Sequence, residues 1–206
     1  MTARRLHLAL GAAMVAVVAV PAVVFGSQSL TDGDELTKAT EHEHAAQDGS
    51  PHVAAQLAAA NLATAAYQDV EVAEDAGYAS TLGPGEGSLG CFEDPTQGGM
   101  GVHYLNGDLM DGVVDATTPE ALVYELDNEG QIAGLVAHEY IVPLDAWTSV
   151  KPPKLFGQKF MQHPILPLWV LHTWIWKANP TGVFQSWNPT VRLCPDGVPV
   201  FTKPAS

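Results

Sequence analysis

Side chains able to ligate a metal recur in the apolar, β-prone parts of this chain. They are His103, the neighbours His138 and Glu139, and His172, with His163 in a further segment just before Pro164. Two imidazoles and a carboxylate are a recurrent ligand set for divalent ions, and they leave coordination positions open for a substrate. Neutral imidazole and ionised carboxylate are also the ordinary states of these groups near pH 7. His103, Glu139 and His172 are therefore the candidate metal ligands, the ion being Zn, Cu, Mn or Fe, and His163 is a fourth candidate. Such an ion would polarise a substrate oxygen or activate water or dioxygen. No HxH or HExxH pair lies within the strand segments, so the fold alone must bring the three together. The plainer alternative is that each histidine donates to a backbone carbonyl or a tyrosine and binds nothing.

Alternation along strands says which of these residues face one another. Residues 167–190 hold four of the five tryptophans, and His172 lies centrally in an apolar run there. Strand side chains alternate sides, so His172 shares its face with Leu168, Val170, Trp174 and Trp176. Residues 127–130, Asp-Asn-Glu-Gly, make a hairpin turn. If Leu126 pairs with Gln131, then Leu122, Tyr124 and Leu126 share a face with Ala137, Glu139 and Ile141, and Val123 and Glu125 share the other with His138. The first face is the more apolar, which puts Glu139 inward and His138 outward; a slip of one residue would reverse them. An inward carboxylate needs compensation, from a metal, from Lys177 or Arg192, or from a proton. Glu125 or Tyr104 would then serve in proton transfer beside the ion.

Further strands are expected at 101–105, 121–126, 131–142, 159–162 and 168–177. A helix precedes them. Ser50 suits its N-cap, Pro51 its first position and Gly77 the residue past its end. Val53, Leu57, Ala60, Thr64, Tyr67 and Val70 give it one apolar stripe. Residues 79–100 read as a long loop. Gly85–Gly90 matches GxGxxG but follows a helix and precedes no helix, which excludes a dinucleotide site. Two Asn-Pro-Thr turns, at 179–181 and 188–190, are barred from glycosylation by their prolines. The expected class is α+β, with one long N-terminal helix on a curved antiparallel sheet of about five strands. A cupin-like β-barrel is the alternative fold.

The first 26 residues read as a secretory signal: Arg4 and Arg5, an apolar stretch from residue 8 to 25, and small residues before Ser27. An uncleaved anchor is the alternative and the one route to membrane attachment. Residues 27–50 read as a flexible linker and 51–206 as one domain. The linker's Glu41-His42-Glu43-His44 could bind a metal loosely, though solvated polar residues are the simpler reading. The chain has 9 basic and 23 acidic residues. Only Lys38 among the basic residues lies between 27 and 150, so nucleic acid is excluded as a partner for want of clustered Lys/Arg. Basic groups gather after residue 150 and can pair with the acidic part. Cys91 and Cys194 read as one disulfide of an exported protein. Met100, Met110 and Met161 are packing residues or, if they ligate, a pointer to copper.

The phrases Gly99-Met100-Gly101-Val102-His103-Tyr104, Glu139-Tyr140, Leu155-Phe156-Gly157-Gln158 and Leu171-His172-Thr173-Trp174-Ile175-Trp176-Lys177 with Asn179-Pro180 give the chain its resemblance to a family. It resembles an uncharacterised family of secreted bacterial single-domain proteins from about His52 to Cys194. The resemblance implies export and one domain, and supplies no activity. Ala178 departs from it, standing where the pattern has histidine.

Three readings of function follow: a secreted metal-dependent protein or enzyme built on His103, Glu139 and His172; an extracytoplasmic binding protein for a small apolar ligand, its pocket lined by Trp174, Trp176, Tyr104 and Phe160; or a structural envelope domain without metal. The catalytic residues and the oligomeric state are left open by the sequence.

Overall fold

The computed structural model describes residues 50–82 and 89–201. The expected signal segment, the linker up to residue 49 with its histidine tract, and most of the glycine-rich stretch at 85–90 lie outside the described residues.

Ser50 caps the helix as expected, its side chain accepting from the Val53 N–H at 3.2 Å, with Pro51 in the first turn. Helix α1 spans Pro51–Thr64, continues as a 3-10 turn over Ala65–Gln68, and is followed by α2 at Val70–Asp75. The single long helix is thus realised only in part. Thr64 Oγ1 donates back to the Ala60 carbonyl at 2.9 Å. Asp69 accepts from the Glu71 N–H at 3.0 Å and caps α2. Threonine and aspartate side chains compete with the ladder in this way and bend helices. Gly77 closes the segment with φ +96°.

The strands among the described residues are β1 (Ala79–Ser80), β2 (Cys91–Asp94), β3 (Gly98–Leu105), β4 (Ala121–Leu126), β5 (Ile132–Pro143), β6 (Lys154–Leu155), β7 (Gln158–Lys159), β8 (Met161–Gln162) and β9 (Leu168–Thr173). Seven form one sheet in the order β1-β3-β4-β5-β9-β8, with β2 also on β3, while β6 and β7 pair separately. Every pairing between these strands is antiparallel. The class is α+β, with seven sheet strands where about five were expected. The sheet is an open path among the described residues, not the barrel alternative. Residues 79–100 are not all loop: Cys91–Asp94 adds a strand to β3. The expected strand at 159–162 is split at Phe160, whose N–H donates to the Pro153 carbonyl.

A turn forms within 127–130, with Gly130 at φ +78°, but Asp127 already faces Gln131 across it, so the assumed register does not hold. Leu126 pairs with Ile132, one residue beyond the assumed partner, and two irregularities further along the β4–β5 ladder add two more, so that Tyr124 pairs with Leu135 and Ala121 with Glu139. Each inserted residue swaps the faces beyond it. Leu122 therefore stands opposite His138, and Val123 opposite Ala137. Helices and loops cover both faces of the sheet. Tyr104, Leu122, Tyr124 and Leu126 pack with Ala73, Tyr67 and Val70 from the helical segment. Val123, Ala137, Trp174, Met100 and Phe92 pack on the opposite side with Val191 and Phe201 from the tail.

The tail is tied down covalently. Cys91 and Cys194 form the expected disulfide, and the Cys91 N–H and carbonyl exchange bonds with Pro199 and Phe201, both at 2.7 Å. Both Asn-Pro-Thr segments make the same turn, the asparagine Oδ1 accepting from the threonine N–H and Oγ1.

Gly101 is the hinge of β3. Its φ is +106°, and a Cβ there would lie 2.3 Å from the Tyr124 carbonyl oxygen. The β2–β3 register shifts beside it, between Phe92 and Glu93. This lets Met100 and His103, an odd number of residues apart, line the same cavity. Gly101→Ala is expected to destabilise the protein by at least about 2 kcal/mol, read as an earlier urea midpoint. An unchanged midpoint would show that the kink is not required.

Candidate metal centre

His103 comes from β3, Glu139 from β5 and His172 from β9. Glu139 pairs directly with His172 across the β5–β9 ladder. His103 pairs with Val123, and Val123 with Ala137, two residues from Glu139 on the same face. All three side chains therefore project from one face of the sheet. His103 Nε2 lies 3.1 Å from Glu139 Oε2, and His172 Nδ1 lies 3.4 Å from Glu139 Oε1. One ligand atom from each residue falls within 4.8 Å of the others. Two ligands on one ion at about 2.1 Å stand about 3 Å apart when adjacent, so the imidazole–carboxylate spacings already suit a shared cation. The group could hold a metal ion.

The residues are buried, at 4%, 9% and 5% exposure for His103, Glu139 and His172. Burial pushes His172 down to about 4, so its ring is neutral at pH 7. Burial pushes the Glu139 carboxyl up, while the charges of His172 and His103, when present, and a hydrogen bond with His103 pull it down to about 2. These effects belong to different protonation states, since a neutral His172 gives Glu139 no cation. The direction set by burial at His172 is the one that holds at neutral pH. Glu139 then has no countercharge from His172, and a divalent cation would supply one. Nδ1 of His103 and Nε2 of His172 are buried without hydrogen-bond partners. Aromatic rings orient the imidazoles instead. Phe92 stands 4.7 Å from His103, and Trp174 lies 5.9 Å from His172 in a stacked arrangement.

The cluster lines a cavity of about 580 Å³, a size typical of small-molecule sites. Its walls combine apolar residues from β3, β9 and the tail with Met100, Met110 and Met161. The three methionines that the sequence scatters thus meet around one space. No helix among the described residues is long and apolar enough to cross a membrane.

The structure separates the other candidates. His138 points to the opposite face from Glu139, as expected, but inward against the helix and not to solvent. It is fully buried, with Nε2 2.9 Å from Thr64 Oγ1 and 3.2 Å from the donating Trp176 Nε1. Burial pushes it down to about 3. His163 lines the cavity but stands outside the three-residue cluster. Glu125 and Tyr104 do not serve the cluster. Glu125 is taken by Lys177 Nζ at 2.7 Å, by the Arg192 guanidinium at 3.7 Å and by the Arg192 backbone N–H at 2.8 Å, so these cations compensate Glu125 and not Glu139. Tyr104 packs edge-on against Tyr124 on the helix side. The pocket expected from Trp174, Trp176, Tyr104 and Phe160 is not the one formed, since none of the four lines the cavity. Ala178 is exposed and also outside its lining. The sequence reading missed Phe92, Phe201 and the role of Trp187 as walls. The disulfide, which fixes β2 and the tail together, was the available signal for the first two.

Searched against protein-family models, curated proteins and solved structures, the chain matches none. Site geometry therefore carries the functional argument.

Proposed function

We propose that His103, Glu139 and His172 hold one divalent ion on the wall of the cavity, and that the protein is a secreted metal-dependent enzyme acting on a small, largely apolar molecule. The observation that carries this is the convergence of two neutral-capable imidazoles and a buried carboxylate, from three strands far apart in sequence, onto one wall of a small-molecule-sized space. Three protein ligands leave positions open toward the cavity, and an ion held so supplies Lewis acidity to a bound oxygen. The chain's own part is to orient the ligands through Phe92 and Trp174 and to keep water out with the tail. The disulfide and the signal-like N-terminus support an extracytoplasmic setting.

The test is elemental analysis of protein recovered from its export route without chelators. Wild type is expected to carry about one equivalent of a transition metal per chain, and His103→Ala less than a tenth of that. Equal metal content in the two would remove the centre. The apolar walls favour a second reading, a metal-free carrier of a small hydrophobic ligand. Ligand binding that is indifferent to chelator would select it.

A further inference from the structure

We infer that the cavity takes an apolar small molecule bearing a hydrogen-bond-accepting oxygen, and that His163 is the donor that meets this oxygen. The inference deepens the pocket part of the proposed function and does not require the ion.

His163 lies on the cavity wall in the turn between β8 and β9. Its Nδ1 accepts two backbone hydrogen bonds, from the Ile165 N–H at 3.2 Å and the Leu166 N–H at 2.9 Å. A ring nitrogen that accepts carries no proton, so in the neutral imidazole the proton is on Nε2. The backbone thus sets the tautomer. Burial also holds this ring toward its neutral form. With the Nδ1 edge committed to the turn, the Nε2–H edge is what the ring has left to present to the cavity.

Three other polar side chains on the lining, outside the metal cluster, are already engaged. Thr81 Oγ1 donates to the His103 carbonyl, Glu93 Oε2 accepts from the Cys194 N–H, and Asp94 holds Thr96 and Gln97. Around them stand Met100, Met110, Leu168, Val170 and Phe201. Thioether side chains adapt to apolar shapes. A pure hydrocarbon filling this space strips water from the His163 N–H and returns no acceptor, whereas a carbonyl or ether oxygen restores the bond. The site should therefore discriminate between ligands of one shape that differ in that oxygen.

Acetophenone and cumene are such a pair. Their binding is measured by calorimetry on the full mature protein in the presence of EDTA, so that no ion contributes. The ratio of cumene Kd to acetophenone Kd is expected to fall about tenfold from wild type to His163→Phe, with cumene binding retained. Because that variant leaves two backbone donors unpaired, ring ¹⁵N spectra of the unaltered protein give an independent reading. His163 should show the Nε2–H tautomer, and that signal should move with acetophenone and not with cumene. An unchanged ratio, or an Nδ1–H tautomer, overturns the inference while leaving the pocket reading in place. Failure of both probes to bind wild type overturns the pocket reading and the inference with it.

Discussion

Zinc added to the metal-free protein is expected to raise its melting temperature by about 5–10 °C at a hundredfold excess over Kd, and His172→Ala or Glu139→Gln to abolish the rise. An ion that binds only the folded state stabilises it by about 2.7 kcal/mol at that excess, and for a chain of this size each kcal/mol moves the midpoint by about 2–4 °C. Binding should be confined to the folded state because its ligands come from β3, β5 and β9 and meet only through strand pairing. Glu139→Gln is the more telling variant. It keeps the shape of the side chain and removes the charge whose compensation, in a setting with a neutral His172, is the main physical reason for a cation. A shift of equal size in both variants would mean that zinc binds elsewhere, and no shift in wild type would mean that the three residues only satisfy one another. Mn, Fe and Cu in the same assay rank the ions, the nearby methionines favouring copper if they ligate.

The route from sequence to this centre was uneven for identifiable reasons. His103, Glu139 and His172 were legible because ligand chemistry is a property of side-chain type, and strand alternation puts His138 and Glu139 on opposite faces in any register. The faces themselves were not legible. A loop that closes one residue earlier than assumed, with Asp127 facing Gln131, together with two irregularities in the β4–β5 ladder, shifts the partners by three and exchanges the neighbours of Glu139 from Leu122 and Tyr124 to Ala121 and Val123. Outward was also the wrong word for His138, because a helix covers that face and Thr64 receives the imidazole. The caps at Ser50 and Gly77 were readable from local residue preferences. The interruption between them depends on Thr64 and Asp69 choosing backbone partners, a choice that propensity does not settle. The cavity was the least legible feature, since Met100, Met110, His163, Trp187 and Phe201 come from separate segments. Their convergence is a consequence of topology.

Reducing the disulfide, or replacing both Cys91 and Cys194 by alanine, is expected to lower stability by about 4–5 kcal/mol and the melting temperature by about 10–20 °C. The bridge spans 103 residues of sequence, and in the chain-entropy model a closed loop of about 100 residues restricts the unfolded chain by about that amount. The native state also loses something specific. Cys91 is in β2 and Cys194 in the tail, and with the bridge gone these segments are held by hydrogen bonds, such as Cys91 to Pro199 and Phe201 and the Cys194 N–H to the Glu93 carboxylate, and by side-chain packing. The same segments carry Phe92, which abuts His103, and Phe201, which stacks on Phe92 with centroids 4.4 Å apart. The reduced protein should therefore lose more than a uniform increment: at a temperature where it is still folded, its zinc response should weaken, because the wall that orients His103 is loosened. Identical melting with and without dithiothreitol would contradict the stability estimate. A large drop in stability with the zinc response intact would show that the disulfide braces the fold without bracing the site.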